Sequence, residues 1–241
     1  MTDSNLSSAA AGADFEALRA QLQQAPLKSQ LTAIAQLADC GDRGWPLLQD
    51  FLLTQGDTEP TPASGRAYQI LAQSGIPDLR ALLRNQFPNG LVPLVSERGI
   101  DYQPVQQALV AGDYETGDRL TLEKLCELAG PTAQQRNWLY FSEVEKFPSA
   151  DLLSLDQLWR VYSADRFGYS VQRQLWLAQG KDFVKLWAKI GWKAGNRWTR
   201  YPNEFTWDLS APRGHLPLSN QLRGARVLTS LLSHPAWTTT A

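Results

Sequence analysis

Apolar residues recur at helical spacing along most of this chain and almost nowhere alternate as they would in a strand. Asp14 reads as an N-cap ahead of Phe15, Leu18 and Leu22, which share one helical face. Leu31, Ile34, Ala35 and Ala38 repeat the spacing. Gly41 and Gly44 bracket a turn, and Pro46 suits the first turn of a helix carrying Leu47, Leu48, Phe51 and Leu52. Residues 54–64 read as a loop, with two prolines and a glycine among small polar side chains. The helical spacing resumes at Tyr68 and Leu71, breaks over residues 75–77 and restarts behind Asp78 with Leu79, Leu82, Leu83 and Phe87. Phe87-Pro88-Asn89-Gly90 then stops it. The pattern predicts a HEAT-like bundle of helical hairpins over residues 14–87, though no fixed repeat period runs through it. Residues 1–13 are small and polar, and are expected to form a disordered lead-in.

Beyond the boundary near residue 88, residues 104–111 and 120–129 are helical in pattern, the second ending at Gly130-Pro131. Residues 134–144 form an aromatic-rich helical segment that Phe147-Pro148 stops. Ser154 and Gln157 have capping-box spacing, ahead of an apolar stripe of Leu155, Leu158, Trp159 and Tyr162. After a turn at Phe167-Gly168, Val171, Leu175 and Trp176 mark another helix. The clearest amphipath follows, with Phe183, Leu186, Trp187 and Ile190 on one side and Lys181, Lys185 and Lys189 on a solvated face opposite. From Gly191 to Leu218 the period fails among three glycines and three prolines, yet Trp192, Trp198, Tyr201, Phe205 and Trp207 remain. A loop this long and this aromatic is usually functional. A last helix is expected from about Ser219, with Asn220, Arg223 and Arg226 near its start. The expected fold class is therefore all-α, the hairpin bundle being followed by a larger helical core over residues 88–237 with a long aromatic loop.

Charge changes this picture at one place. Leu158 to Arg226 holds six of the nine tryptophans and twelve Arg and Lys against four acids, a net +8 in a chain whose total is −1. Burying tryptophans in a core requires no such charge. A cationic, tryptophan-rich segment in an otherwise acidic protein suits something flat, apolar and anionic. Trp159, Trp176 and Trp187 lie on apolar helical faces and read as core. Trp192, Trp198 and Trp207 are open to either role, core support for the loop or direct contact with a ligand.

Catalysis finds little support. His215 and His234 stand in no nucleophile motif and at no metal-ligand spacing, and Glu143 and Glu145 face different ways on a helix. No catalytic residue, metal site or intrinsic cofactor is expected. Cys40 and Cys126 have no paired spacing and read as buried free thiols in a reducing compartment. The chain shows no apolar run of membrane-spanning length, and no signal or transit peptide is expected at its start. The expectation is a cytoplasmic monomer, compatible with peripheral membrane association. Two ligand classes fit the aromatic, cationic stretch: a single-stranded nucleic acid, stacking its bases on the rings, and a tetrapyrrole, directing its propionates to Arg or Lys. The acidic pI of about 6.1 favours the second, since nucleic-acid binders tend to be basic overall.

Several motifs carry a family resemblance: LCELAGP at 125–131, WLYF at 138–141, EVEKFP at 143–148, FGYSVQ at 167–172, KIGWK at 189–193, FTWDLSAP at 205–212 and GHLPL at 214–218. Together they resemble the genomes-uncoupled-four family over about residues 90–237. That family comprises porphyrin-binding activators of magnesium chelatase in chlorophyll biosynthesis, and the helical N-terminal part resembles the extra domain of its cyanobacterial members. The resemblance implies a protein without catalytic activity of its own. It would bind protoporphyrin IX and magnesium protoporphyrin IX in a cupped helical core and act on the large porphyrin-binding subunit of the chelatase. It further implies Phe141 and Trp192 as apolar contacts, Asn220 and Arg223 as polar contacts to the metal side or the propionates, and Arg226 as a further candidate. Trp198 and Tyr201 join them from the aromatic loop, Tyr201 standing where some relatives carry tryptophan. No nucleic-acid partner is implied.

Overall fold

The computed structural model describes residues 3–55, 58–218 and 225–238, with side chains from Asp14 onward. Two compact units divide the chain, Met1–Gln86 and Phe87–Ala241. The first holds α1 (Asp3–Gln24), α2 (Leu27–Asp39), a 3-10 turn (Gly41–Arg43), α3 (Trp45–Gln55), α4 (Pro62–Gln73) and α5 (Pro77–Gln86). Its core is made by Leu22, Ile34, Leu37, Leu48, Phe51, Leu52, Leu71 and Leu83, all buried. Gly44 lets α3 start close under α2, because a Cβ there would stand 1.8 Å from the Leu37 carbonyl oxygen.

Two expectations need correction here. Cys40, expected to be buried, is exposed, whereas Cys126 is buried. Helix α4 begins inside the expected loop, at Pro62. Proline at the first helical position forfeits no hydrogen bond, so it starts this helix instead of breaking it. Thr61 Oγ1 accepts the Ser64 N–H at 3.1 Å while Ser64 Oγ accepts the Thr61 N–H at 2.9 Å, a reciprocal cap. Thr61→Ala should lower stability by about 1 kcal/mol, read from the urea midpoint.

The second unit contains α6 (Gln103–Ala111), α7 (Tyr114–Ala129), α8 (Pro131–Arg136), α9 (Phe141–Val144), α10 (Ser149–Tyr162), α11 (Tyr169–Ala178), α12 (Phe183–Lys189) and α13 (Arg226–Ser233). A two-residue antiparallel pair, β1 (Lys193–Ala194) with β2 (Arg197–Trp198), is the one sheet among the described residues. The fold is all-helical in character. Trp159, as expected, is core: it is fully buried, and its indole N–H donates to Thr121 Oγ1 at 3.0 Å. The Tyr162 hydroxyl donates to Gln106 Oε1 at 2.7 Å, and that of Tyr114 to the Tyr162 carbonyl at 2.6 Å.

Three helix boundaries differ from the sequence reading. Asp113, not a residue near 120, caps α7 by accepting the Thr116 N–H at 3.0 Å. The aromatic segment at 134–144 is two short helices, because Asn137 adopts a left-handed φ of 56° and ends α8. Ser154 lies within α10, which starts at Ser149, and caps nothing. Its hydroxyl instead donates to the Val95 carbonyl at 2.7 Å and accepts the Val95 N–H at 3.1 Å, strapping an extended segment onto the helix. No helix among the described residues is long and apolar enough to cross a membrane.

Candidate functional site

Asp182 caps α12 by accepting the Val184 and Lys185 N–H groups, and Gly191, at φ +75°, turns the chain out of the helix. The next side chain, Trp192, points inward. It is 1% exposed among Trp176, Leu186, Ile190, Phe205, Leu228 and Leu232, and its indole N–H donates to the His215 carbonyl at 2.7 Å. The structure thus places Trp192 beneath the aromatic loop and not on its surface. The reason lies in the backbone: the chain reverses at the β1–β2 hairpin, and Thr199 N–H comes back to the Trp192 carbonyl at 3.0 Å, leaving that ring only the core to fill.

The loop's return leg is stitched to the corner between α10 and α11. Gly168 N–H donates to the Leu216 carbonyl at 3.0 Å and Gly214 N–H to the Arg166 carbonyl at 2.7 Å. The buried Gln172 amide donates to the carbonyls of Gly214 at 3.0 Å and Pro217 at 2.7 Å. A fourth tie comes from α7, where the Asp118 carboxylate accepts the Leu218 N–H at 2.6 Å. His215 holds the middle: Nδ1–H donates to the Ile190 carbonyl at 2.6 Å and Nε2 accepts the Thr206 N–H at 3.4 Å. Burial lowers the His215 pKa, the Ile190 carbonyl partly offsetting it, so the ring is a neutral scaffold element near pH 7.

These ties present three aromatic groups. Tyr201, 57% exposed, meets Trp207 edge-on at 5.9 Å and lies 6.4 Å from Phe205, which in turn sits 5.2 Å from His215. Partial burial, with the negative charges of Asp118 and Glu115, raises the Tyr201 pKa, which puts the phenol within electrostatic reach of α7. Trp198 packs edge-on against Trp187 at 4.7 Å with Lys193 Nζ 5.3 Å over its ring. Phe141, at the start of α9, is 37% exposed and lies under the Arg226 guanidinium at 5.6 Å. Beside Tyr201, Glu204 pairs with Arg197 at 2.7 Å and accepts the Arg200 N–H at 3.0 Å. The Arg197 hydrogen bond, above all, holds its carboxyl below the usual range.

Of the residues singled out from sequence, Tyr201, Trp198, Phe141 and Arg226 offer accessible surface, with ring and cation paired in two of the three groups. Asn220 and Arg223 lie outside the described residues. Phe205 and Trp207 complete the Tyr201 group; the sequence leaves Trp207 open to either role and does not single out Phe205 as a contact. Asp118 and Gln172 were missed as its fasteners. Asp118 carries a signal in the sequence: it falls on the stripe of Tyr114, Thr121 and Leu125, where an acid is out of place. A separate cavity of about 300 Å³, lined by Arg98, Thr132, Glu143 and Lys146 among others, is polar and suits a large apolar ring poorly. Among the described residues no three His, Cys, Asp or Glu side chains converge as a metal site.

Comparison with known proteins gives consistent matches. The model of a family described as GUN4-like matches residues 95–235, and that of an ARM-like repeat domain, the GUN4 N-terminal domain, matches residues 6–88. A Ycf53-like protein from Synechocystis sp. (strain ATCC 27184 / PCC 6803 / Kazusa) is 55% identical over 221 residues, 91% of this chain and 95% of its own. A protein of Arabidopsis thaliana named tetrapyrrole-binding protein, chloroplastic, is 37% identical over 147 residues, 57% of this chain and 56% of its own. The solved structure of GUN4 from Chlamydomonas reinhardtii is 39% identical with a TM-score of 0.57, covering 61% of this chain and 95% of that one. Ligand-free Arabidopsis thaliana GUN4 is 40% identical with a TM-score of 0.54, over 57% of this chain and 98% of that one.

Proposed function

Given that the chain belongs to the GUN4-like family and is of its cyanobacterial type, we propose that it binds protoporphyrin IX and magnesium protoporphyrin IX and stimulates magnesium chelatase without catalysing a reaction itself. The observation that carries this reading is the exposed Tyr201 ring, held edge-on to Trp207 and backed by Phe205 over a closed core. A macrocycle laid on that group covers apolar surface that water otherwise wets, and aromatic contacts add about 0.5–1.5 kcal/mol per pair beyond area burial. Its propionates need cations at the rim, and the +8 stretch supplies them: Lys193 and Arg226 already stand over aromatic rings. A guanidinium grips a carboxylate through two parallel bonds, which makes Arg226, with Arg223, the specific partner for a propionate. The macrocycle carries its magnesium on its own nitrogens, so no protein metal site is required.

Stimulation follows if the porphyrin-loaded protein favours one state of the large porphyrin-binding subunit of the chelatase over another. The test is a titration of tryptophan fluorescence with both porphyrins, run on the full chain and on Tyr201→Ala and Arg223→Ala. Saturable quenching in the parent, with an affinity loss of about ten-fold in each variant, is expected. Quenching that never saturates sinks the proposal. A reconstituted chelatase whose rate ignores the loaded protein sinks its second half.

A further inference from the structure

We propose that Asp118 is a positioning residue for the ligand, a carboxylate latch on α7 that fixes the return leg of the aromatic loop through the Leu218 N–H and whose protonation sets the tetrapyrrole affinity. The proposal rests on the functional reading above and adds a residue and a control to it.

The geometry is specific. Asp118 is 6% exposed, one turn into α7, and its single hydrogen bond among the described residues joins positions a hundred residues apart. Leu218 lies on the return leg, directly after the Pro217 carbonyl that Gln172 holds. The Gln172, Gly168 and Gly214 ties fasten that leg to the α10–α11 corner, whereas among the described residues the Asp118 bond alone fastens it to α7. His215, on the same leg, sits 5.2 Å from Phe205, which lies 6.4 Å from Tyr201, so the latched leg backs the exposed ring; the charge of the Asp118 carboxylate also bears on the Tyr201 phenol.

The groups around Asp118 leave its charge poorly compensated. From its own helix, Glu115 repels it, and Arg119 points to an ion pair with Glu123 at 2.6 Å. From α11, Tyr169 is buried and neutral, its pKa held up chiefly by burial with Asp118 adding to it. Helix α6 bears no charged residue, and Arg136 of α8 pairs with Glu143 at 2.6 Å. Among the described residues no cation pairs with Asp118. Burial, with Glu115 adding to it and the Leu218 N–H opposing it, pushes the carboxyl up to about 7. Above that pH the carboxylate grips the N–H as a charge-assisted bond; below it the acid is neutral and the grip weakens. A loop held in its binding geometry needs less ordering when the ligand arrives, so affinity rises with pH through this range.

The experiment measures porphyrin affinity of the full chain at pH 6 and pH 8, beside Asp118→Asn and Asp118→Leu, together with hydrogen exchange of the Leu218 amide. Asparagine keeps an acceptor oxygen for the N–H but cannot ionise. The parent should bind about five-fold more tightly at pH 8, the low end of typical site-to-site coupling, and Asp118→Asn should bind with a flat profile between the two. Asp118→Leu should bind more weakly at both pH values and exchange the Leu218 amide faster. An unchanged pH step in Asp118→Asn overturns the proposal, because other groups, such as His215 or the propionates, would then carry it. A parent that binds no porphyrin overturns the functional reading instead. In that case Leu218 exchange in Asp118→Leu decides the latch, and an unchanged exchange rate refutes it.

Discussion

Trp192→Ala is expected to lower the stability of the C-terminal unit by about 3–5 kcal/mol, the range for deleting a buried large aromatic ring. Six buried neighbours, from Trp176 to Leu232, would face the void, and the His215 carbonyl would lose its donor. Porphyrin binding should fall with it, because the aromatic loop is moored to that ring. Trp192→Phe separates the two contributions: it keeps most of the apolar volume and removes the N–H, so about 1–2 kcal/mol is expected. Tyr201→Ala, at an exposed ring, should stay within about 0.5 kcal/mol of the parent while losing affinity. Urea unfolding followed by circular dichroism measures all three. If Trp192→Ala keeps the parent midpoint and loses binding, the ring touches the ligand directly and its place beneath the loop is not its role.

The second large effect concerns Asp151, far along the same unit from the aromatic loop in sequence. Its carboxylate is fully buried and accepts three donors: the Tyr102 hydroxyl at 2.8 Å, the Glu97 N–H at 3.0 Å and the Ser96 hydroxyl. Burial and the adjacent Asp151 raise the Tyr102 pKa, so the phenol remains a donor at any ordinary pH. Asp151→Ala strands all three donors and should cost about 3–5 kcal/mol, since each buried group left without a partner costs about 1–3 kcal/mol. Asp151→Asn retains one acceptor oxygen and should fall between. A loss below about 1 kcal/mol for Asp151→Ala would show that water reaches the strap at residues 95–97 and replaces the carboxylate. Affinity for porphyrin, measured well below the melting temperature, should change little, because the strap and the aromatic loop share no hydrogen bond among the described residues.

Helix periodicity carried the fold class, because an amphipathic helix writes its buried face every three or four residues and most of these helices do so. The plainest instance is α12, where Phe183, Leu186, Trp187 and Ile190 read directly as the side that packs. What the pattern could not resolve were positions where one residue type serves two ends. Pro62 starts a helix although proline is also a helix breaker, and Ser154 straps a neighbour although its spacing is that of a cap. Trp192 is ambiguous in sequence for a similar reason: a ring that stacks on a ligand and a ring that fills a core are the same residue, and only the hairpin that follows it decides. Asp118 and Gln172 act across distances in sequence that no local window spans.

The ring contacts have a spectroscopic consequence. Trp187 and Trp198 stand 4.7 Å apart, and Trp176 reaches Trp187 through Phe183 at 5.1 and 5.7 Å. Indoles as close as Trp187 and Trp198 exchange excitation before they emit, so this pair behaves as one antenna. A porphyrin acceptor bound at any edge drains the whole group. Quenching amplitude therefore counts occupied molecules and says little about which indole the acceptor touches; the address has to come from substitution, ring by ring.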